Sequence, residues 1–507
     1  MAASSNPSCH GCLLLLVLLL AVVTAFGAGP AAHHDAGSSS LVHLNLESTI
    51  SPASTSCPTT QATGTRMPIV HQHGPCSPVA GNKPPAHEEI LTADQRRVES
   101  IRRRVYETTG LGRGRPSSAN KLHPGSPSST VATSDDLTSY SGWPSANLPA
   151  SSGSALGSGN YVVTIGLGTP SERFTVVFDT GSDTTWVQCQ PCVAYCYQQQ
   201  EPLFDPTSSA TYANISCASP YCSELDASGC TGGHCIYGVQ YGDGSITVGF
   251  YAQDTLTLAH DTVAAFRFGC GERNKGLFGR TAGLMGLGRG KSSLTVQAAA
   301  KYRGVFAYCL AATSSDTTGF LDFGPGAAAH YEANARVTPM LVDDGPTFYY
   351  VALTGIKVGG RVLPVPASVF SAAGALVDSG TVITRLPPSA YEPLRKAFAA
   401  GMEALGYKKA PAFSILDTCY DLSSSAAAQG GGTVALPTVA LVFRGGACLD
   451  VDASGILYVA DLSQACLAFA ANQEDTDVAI IGNTQQKTYG VVYDLGRKVV
   501  GFAPGAC

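Results

Sequence analysis

Two short segments constrain this chain more than any bulk property does. Val176–Ser182 reads VVFDTGS and Ala375–Thr381 reads ALVDSGT. Each ends an apolar run in an Asp, followed by a hydroxyl residue, a Gly and a second hydroxyl residue. The two acids, Asp179 and Asp378, lie 199 residues apart. An Asp at a strand end is held by the packing behind it, and the Gly lets the backbone turn tightly and approach a partner. Ser182 and Thr381 can donate to the neighbouring carboxylates. One such motif is an ordinary turn after a strand. Two, one in each half of the region that follows Gly159, imply a duplicated, two-lobed architecture with one acid from each lobe.

Two carboxylates within hydrogen-bonding distance cannot both ionise cheaply, so they share a proton and titrate as a pair. The protonated member can act as general acid towards a peptide carbonyl, while the ionised one takes a proton from a bound water. Two further features fall where such a site needs them. Tyr237–Ser245 (YGVQYGDGS) reads as a turn-rich hairpin able to close over a substrate, with Tyr241 near its tip. Trp186, seven residues after the first Asp, carries an indole N–H that needs a partner when buried. Taken singly, they read as a hairpin turn and a core aromatic.

From Gly159 the texture is of short strand-like runs broken by Gly and Pro, such as Tyr161–Gly166, Phe174–Phe178, Phe348–Leu353, Thr438–Phe443 and Gly490–Asp494, which argues for an all-β protein. With 507 residues the chain exceeds one ordinary domain, and 44% hydrophobic against 13% charged residues excludes a disordered chain. Residues 156–507 carry 21 Lys and Arg against 28 Asp and Glu, a net-acidic balance that repels nucleic acid.

The sequence resembles the pepsin-like aspartic proteases, and within them the plant nepenthesin-like branch, which includes secreted and plastid-nucleoid-type members. The match runs from about Gly159 to Cys507. The resemblance implies catalytic roles for Asp179 and Asp378, a flap role over substrate for Tyr241, and supporting roles for Ser182, Thr381 and Trp186. Leu284–Met285–Gly286 and Ile480–Ile481–Gly482 match the segments that brace the two catalytic loops. Cys189–Cys235 matches the cysteine-rich insert of the branch, and His71–Pro78 (HQHGPCSP) its propeptide. The implied fold is all-β and two-lobed, with the active-site cleft between the lobes. The implied activity is hydrolysis of peptide bonds in polypeptide substrates at acid pH by a monomer, with no cofactor, metal, nucleic acid or membrane anchor. A binding or inhibitor protein on the same fold is the rival reading, though such relatives usually lose an Asp or the flap tyrosine. A nucleic-acid-associated protein is a third.

Leu13–Ala25 reads as the apolar core of a secretory signal, short for a membrane span. The expected organisation is a signal peptide over 1–29, a propeptide over 30–155, a first lobe over 156–340 with the insert at 189–235, and a second lobe over 341–507. Secretion to the apoplast is expected, with vacuole or plastid as alternatives. Thirteen of the 17 cysteines lie from Cys189 onward, which in an oxidising compartment implies six bridges and one odd thiol. The resemblance suggests Cys419–Cys466 and Cys270–Cys507, the insert cysteines pairing among themselves or with a nearby first-lobe cysteine, and Cys448 unpaired. Zinc at Cys189, Cys192 and Cys196 is disfavoured because no His lies at ligand spacing. Asn214 heads the acceptable glycosylation sequon and is expected to be exposed.

Within residues 30–155 the spacing of Val98, Ile101 and Val105 predicts a helix over Thr92–Thr108, capped by Thr92. Arg96, Arg97, Arg102, Arg103 and Arg104 line the rest of it. This basic segment is expected to pack on the acidic lobes through several partly exposed pairs of about 1 kcal/mol each, with the region before residue 155 blocking the cleft. The plain alternative is a solvated charged helix.

Overall fold

The structure is a computed structural model. It describes residues 40–46, 64–79 apart from 73 and 75, 86–109, 161–241, 244–312, 319–327, 334–341, 347–423 and 432–507. The signal segment, Cys57, His73 and the hairpin tip at Gly242 and Asp243 lie outside the described residues.

Strands dominate, as the alternation of apolar runs and turns requires. In each lobe the Asp-bearing strand is flanked in the same way. Glu172–Asp179 runs parallel to Gly283–Gly286, which is antiparallel to Trp186–Gln188. Ala375–Val377 runs parallel to Ala479–Ile481, which is antiparallel to Thr384–Leu386. Both Asp-bearing strands are covered on both faces, and this explains their unbroken apolar runs (VVF and ALV). Val305–Cys309 of the first lobe pairs with Gly490–Asp494 of the second, so one sheet crosses between the lobes. The core is continuous across it: Phe306 stacks on Tyr493 at 4.6 Å between ring centres, and Tyr493 meets Tyr349 at 4.3 Å.

The glycine after each bracing pair is required by close approach. A Cβ on Gly286 would lie 2.1 Å from the Asp183 carbonyl oxygen, and one on Gly482 would lie 2.7 Å from that of Val382. Each glycine thus lets the bracing strand press against the loop that follows the Asp.

The upstream chain is woven into this framework more deeply than its sequence suggests. The sequence offers one regular element in residues 30–155; among the described residues the structure has three. Leu41–Asn45 extends Thr433–Pro437, and Met67–His71 lies between Tyr161–Leu167 and Gly319–Phe323. The partners of these strands lie between 90 residues away (His71 with Tyr161) and 396 (Leu41 with Pro437), so local spacing carries no trace of them. The helix, α1, runs His87–Thr109 and begins five residues before Thr92. Thr92 is no cap: its hydroxyl donates to the Glu88 carbonyl inside the helix. Val98, Ile101 and Val105 are buried as their spacing requires, against Phe348, Tyr350, Leu376 and Ile480.

Six disulfides join described residues: Cys189–Cys270, Cys192–Cys196, Cys217–Cys230, Cys222–Cys235, Cys309–Cys507 and Cys419–Cys466. The expected Cys270–Cys507 bridge is corrected. Gly269–Gly271 runs beside Trp186–Gln188, which carries Cys270 to Cys189, while Ala506 donates to the Thr488 carbonyl and leaves the C-terminus beside Cys309. Cys448 is corrected too, being disulfide-bonded rather than a free thiol. The resemblance offers no counterpart for Cys448, and so gives no sign of its bridge. Asn214 is half-buried, its Oδ1 accepting from the Tyr212 hydroxyl, where the sequence suggested exposure.

The Cys309–Cys507 bridge closes 198 residues. Cys507→Ser is expected to lower stability by about 2–5 kcal/mol. Non-reducing peptide mapping should recover the C-terminal peptide linked to the one holding Cys309; recovery with the Cys270 peptide would reverse the assignment.

Candidate active site

Asp179 and Asp378 meet between the lobes, each 0% exposed. Their surroundings mirror one another. Asp179 accepts from the Gly181 N–H at 2.9 Å and the Ser182 hydroxyl at 2.8 Å. Asp378 accepts from the Gly380 N–H at 3.1 Å and the Thr381 hydroxyl at 2.6 Å. Each motif glycine also clears the opposite acid: a Cβ on Gly181 would lie 2.7 Å from Asp378 Oδ1, and one on Gly380 would lie 2.5 Å from Asp179 Oδ1. The first hydroxyl of each motif does a different job. Thr180 Oγ1 accepts from the Ser379 N–H at 2.9 Å, and Ser379 Oγ accepts from the Thr180 N–H at 3.1 Å. This exchange clamps the two loops together across the lobe boundary.

Tyr241 stands at the start of the hairpin turn, between strands His234–Gln240 and Ile246–Leu258. The buried Trp186 donates its indole N–H to the Tyr241 hydroxyl at 2.8 Å, and Phe278 packs edge-on against both rings. Tyr241 is therefore tied to the first lobe and also lines the cleft beside Asp179.

α1 fills that cleft. Arg97 Nη2 lies 2.7 Å from Asp179 Oδ1 and 2.9 Å from Asp378 Oδ2, while Nη1 reaches Asp179 and Nε reaches Asp378. One guanidinium thus bridges both acids out of water. The expected array of partly exposed pairs is corrected: of the five arginines, the one that reaches the acids does so in a buried contact. Arg102 pairs with Asp477, Arg104 donates to the Gly181 carbonyl and lies over the Phe348 ring, and Arg96 and Arg103 are exposed. Helix phase sets Arg97, four residues before Ile101, beside the apolar face and apart from Arg96 and Arg103, but Arg102 and Arg104 flank the same face, so sequence alone does not single out Arg97.

The electrostatics follow from this bridge. Burial pushes both carboxyls up. At Asp179 the Arg97 charge, with hydrogen bonds from Arg97, Gly181 and Ser182, outweighs burial and holds the carboxyl below the usual range. At Asp378 burial, reinforced by the neighbouring Asp179 charge, prevails over Arg97 and Thr381 and leaves the carboxyl raised. Burial alone would lower Arg97, but the two acids hold it firmly protonated.

Two residues that sequence reasoning passed over complete the contact. Asp94 of α1 and Arg385 of the second lobe form a second buried ion pair at 3.0 Å. Asp94 sits inside a helical run and Arg385 inside a short strand, and neither position carries a local signal.

Comparison with known proteins agrees with this geometry. The family models "Xylanase inhibitor N-terminal" and "Xylanase inhibitor C-terminal" match residues 161–325 and 348–504. An aspartyl protease family protein of Arabidopsis thaliana is 43% identical, over 98% of this chain and 98% of its own. Aspartic proteinase nepenthesin-2 of Nepenthes gracilis is 35% identical, over 69% of this chain and 78% of its own. The fold is also that of basic 7S globulin from soybean, with a TM-score of 0.53 and 22% identity over 68% of this chain and 92% of that one.

The clamp between the loops is testable by itself. Thr180→Val keeps the shape but leaves the buried Ser379 N–H without its acceptor. Stability is expected to fall by about 1–3 kcal/mol in chemical denaturation. An unchanged midpoint would show that the N–H finds another acceptor.

Proposed function

The chain belongs to the pepsin-like aspartic proteases of plants, and on that premise we propose that it is an endopeptidase active at acid pH, with Asp179 and Asp378 as its catalytic pair. The observation that carries the reading is the mirrored pair of buried carboxylates around one shared donor. Arg97 Nη2 touches oxygens of both acids, which is where an attacking water would sit once α1 is gone.

In that state the dyad holds one proton. The ionised carboxylate takes a proton from the water as its oxygen attacks the peptide carbonyl carbon, and the protonated one donates to the carbonyl oxygen. The tetrahedral diol then collapses as its hydroxyl proton returns to the dyad and the leaving nitrogen is protonated. Ser182 and Thr381 orient the outer carboxylate oxygens, while Tyr241, steadied by Trp186, closes over the substrate and excludes water. No cofactor is needed. Asp179→Asn or Asp378→Asn is expected to leave a folded, secreted protein and reduce peptide cleavage by about 10²–10⁴-fold or more. Full activity in either variant would instead favour an inert binding protein on the same fold.

Residues 30–155 act as a prosegment behind a signal over 1–29, and the bridges suit an oxidising, secretory route to the apoplast. Among the described residues no helix is long and apolar enough to cross a membrane. Asn214 is the proposed glycan site.

Latency then rests on Arg97. Because Asp179 is held below its ordinary range, docking of α1 favours its ionised form. That contribution is whole at neutral pH and is lost as pH falls through the range where Asp179 takes its proton. Arg97 stays charged throughout, so it is Asp179 that senses the acid; Asp378, held above its ordinary range, adds nothing to that loss. Arg97→Gln leaves two buried acids without a counter-charge, a loss of about 3–5 kcal/mol. Half-maximal maturation should therefore move up by roughly one pH unit or more, since one unit is about 1.36 kcal/mol. An unchanged maturation profile would return Arg97 to the role of packing residue.

A further inference from the structure

α1 meets the second lobe at a second charged point, one turn before Arg97. Asp94 is 0% exposed. Its Oδ1 accepts from the Val382 N–H at 2.6 Å, and its Oδ2 from the Ile383 N–H at 3.2 Å and from Arg385 Nη2 at 3.0 Å. Three donors of the second lobe thus converge on one carboxylate.

Arg385 depends on that carboxylate. Its side chain is 1% exposed beneath α1. Nη1 donates to the Ile383 carbonyl at 2.8 Å, the acceptor that its own lobe supplies. Both side-chain acceptors of Nη2, Asp94 and Gln95, come from α1. Nε has no acceptor among the described residues. When α1 leaves, a guanidinium and two backbone N–H groups are left lining the cleft without a counter-charge, a state costly enough to draw in an anion.

The place is also shaped for a chain. Ile90 and Leu91 of α1 pack there on Val382, Ile383, Leu416 and Ala468, so departure of the helix opens an apolar groove with Arg385 at its floor. Asp94 and Arg97 are i, i+3 neighbours, about 5–6 Å apart at Cβ. With the scissile bond where Arg97 now bridges the acids, a side chain a few positions away in an extended peptide comes over Arg385.

We propose that Arg385, with the N–H groups of Val382 and Ile383, forms a subsite for an Asp or Glu side chain of the substrate, and that Asp94 occupies this subsite until maturation. The mature enzyme then prefers peptides with an acidic residue a few positions from the cleaved bond. This rests on the endopeptidase and prosegment reading above.

The full chain is matured by acid and given a neutral peptide that it cleaves, with each position replaced in turn by Gln and by Glu. At pH 5 a free Glu, of pKa about 4.3, is mostly ionised. At one position kcat/KM for Glu should exceed that for Gln by about 10-fold or more, as a charge-assisted contact supplies. Arg385→Gln should bring that ratio close to 1. A second measurement needs neither a folded variant nor catalysis: a synthetic peptide of residues 87–109 is titrated calorimetrically into the matured wild-type protein. Asp94→Asn in that peptide should weaken binding by about 10-fold or more. Equal rates for Glu and Gln at every position, a ratio that survives Arg385→Gln, or equal binding of the two peptides each overturn the subsite. If no peptide is cleaved at all, the endopeptidase reading fails, and the binding comparison alone decides the subsite.

Discussion

Two aspartates facing each other away from water are the constraint around which the rest of this molecule is arranged. Burial penalises each negative charge, and proximity penalises the second one further. The fold answers with donors: a motif N–H and a hydroxyl for each acid, and one guanidinium shared by both. With Arg97 in place the two carboxyls are pushed in opposite directions, Asp179 down and Asp378 up.

Duplication is the economical means of holding that pair in place. Each lobe brings an Asp at the end of a strand covered on both faces, braced by a parallel strand that ends in a glycine. The lobes are then locked by the exchange between Thr180 and Ser379 and by the sheet and aromatic stack that cross between them. A hydrophobic core continuous across the boundary sets the separation of the acids with the rigidity of close packing rather than of a hinge.

The upstream segment complements the cleft charge for charge. Arg97 answers the dyad, and Asp94 answers Arg385; reversing either would place like charges together in the interior. Two strands of the same segment are hydrogen-bonded to strands of the two lobes, Leu41–Asn45 to Thr433–Pro437 and Met67–His71 to Tyr161–Leu167 and Gly319–Phe323, so α1 is anchored on both sides of the cleft that it fills.

What the sequence determined by itself was everything carried by short-range pattern: two Asp-hydroxyl-Gly motifs after apolar runs, the all-β texture, the buried face of α1 at Val98, Ile101 and Val105, and the pairing of Trp186 with a polar partner. These survive because strand and helix periodicity and strand-end turns are local. What only the tertiary structure decided depends on neighbours far apart in the chain. Cys270 meets Cys189 rather than Cys507 because of which strands lie side by side. Met67–His71 becomes a strand because two edges of a sheet await it. Among five arginines of one helix, only Arg97 reaches the acids, because helix phase and docking angle point that one inward. Arg385 is a charge at the floor of a groove because a helix 290 residues earlier covers it. Composition and spacing fix which residues can do such things; the packed arrangement selects the ones that do.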